Sequence, residues 1–439
     1  MRITRQALKS AVSLAALFAL APAAAAWSQT PPAPAPAATP IPSFPPASDY
    51  AGVAGSAAEN TRITGLCGAN RNAKDGYFAA PLTPDQTRAP LTASGRPLKV
   101  DVVATLDRSI GLTFLPSGRM LVSQRAGGMR TVDAAGVVSE PLAGTPAVRA
   151  GGLSAVTDVL LDRDFAKNRT LYYGYVVKAE PGAAPGPALG RIVKATLSAD
   201  ERAIDNVVTL HEVPDLTPRR IVQARDGTLL IAAAEVASGG PNPQSLTVER
   251  GKVLRIATDG SIPKNNPYLS NPQADPALYA VGFRDIQGAA LNPKTGDLWV
   301  GENEPMGGDE VNRVLPGKNY GFPLISYGRE NSGALIDGGK TADKGLEQPV
   351  YYWTPSIAPS GLAFYTGDRF KDWKGDLLVG GMSGKQLVHL KMKGGRVVGE
   401  EKLLMERCKR TKDVRQGPDG LIYVMTDEPK SEILRLSPG

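Results

Sequence analysis

Residues 294–304 read KTGDLWVGENE. A Thr-Gly-Asp turn runs straight into a short apolar and aromatic segment, the pattern of a β-hairpin corner followed by its strand. The same pattern recurs as PSGRMLVSQ (116–124), KNRTLYYGYVV (167–177), RDGTLLIAAAE (225–235), WKGDLLVGGMS (373–383) and PDGLIYVMTDE (418–428). With Gly118, Arg169, Gly227, Gly296, Gly375 and Gly420 as markers, the units repeat every 45 to 79 residues. Several units end in a further strand: GGMRTVDAAG, KVLRIATDGS, QLVHLKMKGG and EILRLSPG. Helical periodicity is scarce over the same region. Short strands at such intervals are the signature of propeller blades with loop insertions of variable size. Six markers predict an all-β, six-bladed β-propeller. The strand PLKVDVVATL (97–106) precedes the first marker and is predicted to complete the last blade beside EILRL (432–436). That arrangement closes the ring and removes two open edges. A β-sandwich pair would need shorter and more uniform spacing.

Outward from the repeats, the N-terminus has the features of a secretory leader. Arg2, Arg5 and Lys9 precede the apolar run AVSLAALFALAPAAAA (11–26), which ends in small residues. The run is shorter than the roughly 20 residues of a membrane span, and no later stretch is apolar enough to cross. Residues 1–26 are therefore expected to be a signal peptide, and the chain to be periplasmic or secreted. Residues 27–48, nearly all Pro, Ala and Ser, read as an extended linker. Residues 49–96 read as an irregular N-terminal arm, and 97–439 as the propeller. Three of the seven net positive charges lie in the leader, and no Lys/Arg block follows. Nucleic acid is excluded as a partner on this pattern. Cys67 and Cys408 are the only cysteines. They have neither haem nor zinc spacing, and in an oxidising compartment they are able to pair if the fold brings them together.

The first stretch leads into GENEPMGGDEVNRVLPGKNYG (301–321), where Glu302, Glu304, Asp309 and Glu310 crowd into nine positions. Taken alone, the cluster is a metal loop, a pair of catalytic acids or a solvated turn; it does not have EF-hand spacing.

Longer stretches carry a resemblance. GFRDIQGAALNPKTGDLWVGENEPMGGDEVNRVLPGKNYGFPLISYG, GKVLRIATDGSIPKNNPY (251–268), EQPVYYWTPSIAPSGLAFY (347–365) and KDVRQGPDGLIYVMTDE (412–428) are similar to the glucose/sorbosone dehydrogenase family. The similarity runs in order from about 97 to 437. It implies an exported six-bladed propeller that binds pyrroloquinoline quinone (PQQ) with calcium, oxidises an aldose or related polyol and passes electrons to an external acceptor. It also implies roles for residues. Backbone carbonyls around Glu304 and Pro305 would hold the cofactor's calcium, with Glu304 standing where the family has glycine. Glu310 and the Tyr320 carbonyl would help to bind a structural calcium. Arg284, Asp285, Lys385, Arg410 and Lys412 fall on or beside cofactor-binding positions.

Several of these positions depart from the family pattern. The family's histidine base stands four residues before the Arg of G-R-L-V; here that segment is Arg219-Arg220-Ile221-Val222, and the position holds Leu216. His211 is the remaining candidate base, and His389 lies in a strand pattern. The motif G-H-R-N-P-Q-G appears as Gly282-Phe283-Arg284-Asp285-Ile286-Gln287-Gly288, which places a negative charge where a tricarboxylate is expected. The expected lysine falls on Ser383, with Lys385 two positions on and, if this is strand, on the same face. Lys412 replaces an arginine and keeps the charge without the fork geometry. Two readings follow: a sugar dehydrogenase with a remodelled site, or a non-catalytic sugar- or ligand-binding propeller. A third, a hydrolase using calcium-activated water on Glu302, Glu304 and Asp309, has no support from spacing.

Overall fold

The computed structural model describes residues 97–148, 156–177, 189–214, 217–234, 243–354 and 356–439. The expected leader, linker and arm, with Cys67, lie outside these residues, as does Leu216.

β1 (Leu98–Asp107) opens the fold, and six sheets follow in chain order. Blade one holds β2 (Ser109–Phe114), β3 (Met120–Gln124) and β4 (Met129–Val132). Blade two holds β5 (Val156–Leu161), β6 (Thr170–Val176), β7 (Leu189–Leu197) and β8 (Ile204–Pro214). Blade three holds β9 (Pro218–Gln223), β10 (Leu229–Ala233), β11 (Lys252–Ile256) and β12 (Leu278–Val281). Blade four holds β13 (Ile286–Leu291), β14 (Leu298–Glu302), β15 (Asp309–Val314) and β16 (Tyr351–Trp353). Blade five holds β17 (Pro359–Phe364), β18 (Leu377–Gly381), β19 (Gln386–Lys393) and β20 (Arg396–Leu403). Blade six holds β21 (Thr411–Gln416), β22 (Ile422–Thr426) and β23 (Lys430–Pro438), and β1 pairs antiparallel with β23 from Leu98–Pro438 to Asp107–Lys430. The predicted six-bladed propeller, closed by the N-terminal strand in the last blade, is what forms. Each blade's first strand packs against the first strand of the next, and β21 packs against β2, so the ring closes around an axis.

The six sequence markers occupy one structural place, the turn from first to second strand. All six are left-handed, with φ of 85° at Gly118, 50° at Arg169, 92° at Gly227, 83° at Gly296, 94° at Gly375 and 76° at Gly420. The further strands read from sequence (in β4, β11, β19 and β23) are third strands of their blades. The first strands were not part of the repeat. They are six residues long and largely buried, and three of them carry charged residues, so the alternation that betrays a half-exposed strand is missing.

Near its start every first strand shifts register against the second, between Ser109 and Gly111, Val156 and Asp158, Pro218 and Arg220, Ile286 and Gly288, Pro359 and Leu362, and Thr411 and Asp413. Such bulges re-aim the extra residue out of the ladder. Crowding at the axis demands small residues next to them: a Cβ on Gly288 would lie 2.0 Å from the Ser360 carbonyl oxygen. Apolar residues fill the wedges between blades, as with Leu121, Met129, Val159 and Tyr173 between blades one and two, and Trp299, Trp353, Leu362 and Val379 between four and five.

Candidate active site at the axis and the acidic loop of blade four

The bulge residues Ile110, Thr157, Arg219, Gln287 and Lys412, from blades one, two, three, four and six, line an axial cavity of about 20 Å³ together with Arg125 and Arg220. That is room for about one water. A larger group must lie over these residues and not among them. The chain segments that lead into the bulge ends of β5 and β9 include 149–155 and 215–216, outside the described residues. A second cavity, of about 1140 Å³, lies between blades four and five at the other end of the strands, and no sequence-derived site residue lines it.

Charge at the axis is arranged in two tiers. The residue after the bulge is Asp158, Arg220 or Asp413 in three of the blades. Arg220 pairs with Asp158 at 3.2 Å and Asp413 at 3.1 Å, and Arg415 reaches the same two acids at 3.3 and 3.1 Å. Arg220 Nε also donates to the Gln287 carbonyl at 2.8 Å. Burial pushes the Asp413 carboxyl up, but the charges of Arg220 and Arg415 more than reverse it, so its pKa is lowered.

The second tier is less complete. Lys412 Nζ donates to Gln287 Oε1 at 3.1 Å, and Gln287 Nε2 donates to Asp285 Oδ2 at 2.7 Å. Asp285 Oδ1 faces Arg219 Nε at 3.3 Å. That ion pair is not aligned as a hydrogen bond, and Arg219 Nε and Nη2, both buried, have no hydrogen-bond partner among the described residues. Lys412 is 8% exposed, and burial, with the neighbouring charges of Arg220 and Arg219, pushes its ammonium down to about 7.

The acidic loop sits beside this tier, because Glu302 at the end of β14 pairs with Ile286 at the start of β13. Glu302, Glu304, Asp309 and Glu310 are all buried, between 0% and 6% exposed. Asp309 is a structural tie: its carboxylate accepts from the backbone N–H groups of Glu304 (2.9 Å), Ile357 (2.7 Å) and Ala358 (2.9 Å). Glu302 accepts from the Arg284 backbone N–H at 2.8 Å and from Asn312 Nδ2 at 2.7 Å, and Asn312 also donates to Glu310 at 3.0 Å. Glu304 accepts from the Ser326 hydroxyl. Burial pushes Glu302 and Asp309 up to about 7. Glu304 and Glu310 go well above the carboxylate range, from burial and then from the charge of Glu310 on the one and Glu302 on the other. The Gly307–Gly308 pair (φ 91° and 81°) lets the loop fold tightly, since a Cβ on Gly308 would meet Glu304 Oε2 and Gly328 N at 2.5 Å.

The donor set of this loop is all hard oxygen, which suits calcium. No group of three or more His, Cys, Asp or Glu among the described residues is arranged to hold a metal ion unaided. Backbone carbonyls would have to complete any such site.

Other expected site residues are placed as follows. Glu304 does not protrude towards the axis; its side chain turns into the acidic cluster. Asp285 does not stand as a bare charge against an incoming anion, because Arg219 opposes it, and Arg219 replaces the glycine of the G-R-L-V motif. Arg284 donates from Nη1 to the Asn303 carbonyl at 2.9 Å, which fixes the turn before Glu304 and Pro305. Pro305 forms an isolated bridge with Gly307. The Tyr320 ring stacks on Phe283 at 4.5 Å and its hydroxyl donates to the Arg313 carbonyl at 2.6 Å. Lys385 stands in the turn between β18 and β19 with φ 51°, so the strand alternation used to place it beside Ser383 does not apply. Arg410, 39% exposed at its side chain, is paired with Asp427 at 3.0 Å. His211 lies on β8, the outermost strand of blade two, and bonds Glu249 at 2.5 Å. This moves it off the axis, because its strand is three ladders out from β5. His389 is fully buried, each ring nitrogen 2.8 Å from a carboxylate, Glu401 or Asp376.

Arg219, Gln287, Thr157, Ile110 and Arg125 were missed as site residues. A signal existed for some: Ile110, Arg219 and Lys412 each precede the marker glycine of their blade by eight residues.

The chain is thus a closed propeller with polar bulge residues at the axis and a buried acidic loop beside them. A family model described as glucose/sorbosone dehydrogenase matches residues 106–435, and the chain belongs to that family. It is 36% identical over 374 residues to the aldose sugar dehydrogenase YliI of Escherichia coli K12, covering 83% of this chain and 99% of that protein. The apo crystal structure of the soluble E. coli aldose sugar dehydrogenase superposes with a TM-score of 0.73 at 35% identity, covering 78% of this chain and all of that one. The PQQ-bound aldose sugar dehydrogenase of Streptomyces coelicolor shares the fold, with a TM-score of 0.62 at 24% identity, covering 78% of this chain and all of that one. Among the described residues no helix is long and apolar enough to cross a membrane.

Proposed function

We propose that the protein is an exported, PQQ-dependent oxidoreductase of aldose sugars or related polyols, with a remodelled site and an external electron acceptor. One observation carries this reading: Arg219, buried at the axis beside Lys412, presents N–H groups at Nε and Nη2 that the described residues leave unanswered. A group rich in carboxylate and carbonyl oxygens satisfies these donors, and charge-assisted bonds of this kind are strong. The bound quinone would supply the oxidising power. Arg219, Lys412 and Gln287 would hold its oxygens, with Arg284 fixing the loop at Asn303. Arg410, paired with Asp427, and Lys385, in the turn after β18, would contribute further positive charge. Calcium would sit on the Glu304–Pro305 carbonyls and on a second site involving Glu310 and Tyr320. The buried acids motivate that assignment, since like charges in low dielectric persist only when protonated or bound to a cation. The leader sequence supports a periplasmic or secreted location.

The second reading, a non-catalytic sugar- or ligand-binding propeller, draws on the histidines. Neither of the two lies on an axial strand, and Leu216 stands where the family's base is expected. The deciding experiment is reconstitution of purified protein with PQQ and calcium, followed by absorbance titration and dye reduction with a panel of aldoses. Stoichiometric quinone binding with turnover is expected. Quinone binding without turnover on any aldose favours the second reading, and no binding at micromolar quinone removes the first.

A further inference from the structure

The site still needs a group to take the proton of the hydroxyl being oxidised. Of the seven residues lining the axial cavity, Arg125, Arg219 and Arg220 are permanent cations, and Ile110, Thr157 and Gln287 do not titrate near neutrality. Lys412 is the remaining one. Asp158 and Asp413 are locked to Arg220, and Asp285 faces Arg219. His389 has both ring nitrogens committed, and His211 is on an outermost strand.

We infer that Lys412, which stands where the family motif has an arginine, is the proton acceptor of this site. The inference rests on the dehydrogenase reading above. Geometry supports it first. An ammonium has three donors, and Lys412 Nζ meets one oxygen acceptor, Gln287 Oε1 at 3.1 Å, and the Met382 sulfur at 4.0 Å. That environment suits a neutral amine with one N–H donated and a lone pair free. The bulge at Lys412 aims the side chain into the cavity, away from the blade.

The charged groups around the amine point the same way. Arg219 and Arg220 face it from β9, Asp285 from the turn before β13 and Asp427 from the end of β22, while Asp413 on its own strand is consumed by Arg220 and Arg415. Burial and the two arginines outweigh the two acids, which leaves the amine able to accept a proton near pH 7. In the step, the O–H bond of the anomeric hydroxyl breaks and its proton passes to Nζ. The C–O bond becomes C=O as the hydrogen on that carbon leaves, with its electron pair, as hydride to the quinone oxidant. Asp285, Gln287 and Lys412 form a continuous chain of polar groups, so Gln287 positions the amine.

Arginine cannot act as the acceptor, so Lys412→Arg separates proton transfer from charge. With PQQ and calcium supplied to the full-length protein, Lys412→Arg is expected to bind quinone within a few-fold of wild type in absorbance titration. Its turnover falls by about 10²–10⁴-fold, the usual worth of a general base. The rise of kcat/KM through pH 7 in the wild type should vanish in the variant. Independently of turnover, trace acetylation of Lys412 between pH 5 and 10, followed by mass spectrometry, should show a midpoint near 7. A midpoint near the ordinary lysine value of about 10.4 overturns the inference. So does a Lys412→Arg protein that turns over like wild type, which would leave the dehydrogenase reading intact. A wild-type protein that binds no quinone overturns both.

Discussion

The axis and the acidic loop of blade four are neighbours, and both bury charge, but they solve the problem differently. At the axis, Arg220 lies between Asp158 and Asp413, and Arg415 closes the set. Opposite signs in contact keep one another ionised, which is why Asp413 is held low despite full burial. In the loop, Glu302, Glu304, Asp309 and Glu310 have one sign, and their partners are amides, a hydroxyl and backbone N–H groups. Hydrogen bonds lower the cost of burying an anion without cancelling the mutual repulsion, so all four are pushed up. The upper axial tier lies between the two: Asp285 opposes Arg219, while Lys412 is buried beside Arg219 and Arg220 and is pushed down. A paired cluster is complete by itself, while a cluster of one sign is built to receive something of the other.

The sharpest way to break this contrast is to unpair the complete cluster. Arg220→Met leaves two buried carboxylates with Arg415 alone, and should lower the unfolding free energy by about 3–5 kcal/mol. A loss below about 1 kcal/mol in urea unfolding would show that Arg415 suffices and that the two-tier description is wrong.

The acidic loop should show itself through pH. A carboxyl whose folded pKa exceeds its unfolded value binds more protons when folded between those two values, so stability falls as pH rises across that window. For Glu302 and Asp309 the window runs from the ordinary range, 4.5 and 3.8, up to about 7. Protein stripped with chelator should lose stability between about pH 4 and 7, by about 1.4 kcal/mol per group for each pH unit separating the two values. Millimolar calcium should flatten the profile if the loop receives a cation. Thermal unfolding that is indifferent to both pH and calcium would remove the metal assignment.

The same contrast explains what the sequence reveals. Blade number, turn positions and ring closure were legible because each hairpin needs a left-handed residue at one place, and glycine supplies it in five of the six. The first strands were not legible. They are buried along most of their length, and β5, β9 and β21 carry charge at the axis, so they show no alternation. The acids of 302–310 were visible as a cluster, but their burial and the consumption of Asp309 by backbone amides depend on chain segments around 357, far off in sequence. Asp285 was misread because its counter-charge, Arg219, comes from another blade. Reading two departures from a motif as separate losses misses that they answer one another.

That coupling is testable at a smaller scale. Arg219→Gly and Asp285→Asn, the residues of the family motif, should each destabilise alone, and the double variant should cost less than their sum. A coupling of about 0.5–3 kcal/mol is expected for charges in contact. Additive effects would mean that the 3.3 Å approach contributes nothing and that the two substitutions arose independently.

The smallest expected effect concerns Glu304, where the loop carries a carboxylate in place of glycine. Glu304→Gln keeps the shape, and its amide still bonds Ser326, but it removes one of the four charges. At pH 4 the carboxyl is protonated in the fold and largely so in the unfolded chain, so the substitution exchanges one neutral group for another and should change little. At pH 8 the wild type must either ionise beside Glu310 or hold a proton against the solvent, and both are unfavourable. In chelator, Glu304→Gln should therefore stabilise the protein by about 1 kcal/mol at pH 8 and leave it nearly unchanged at pH 4. With calcium the sign should reverse, because an oxygen-rich site then loses a nearby negative charge. Destabilisation at pH 8 in chelator would mean that the carboxylate is ionised and already compensated. The acidic loop would then be as complete as the axis, and the difference between them would disappear.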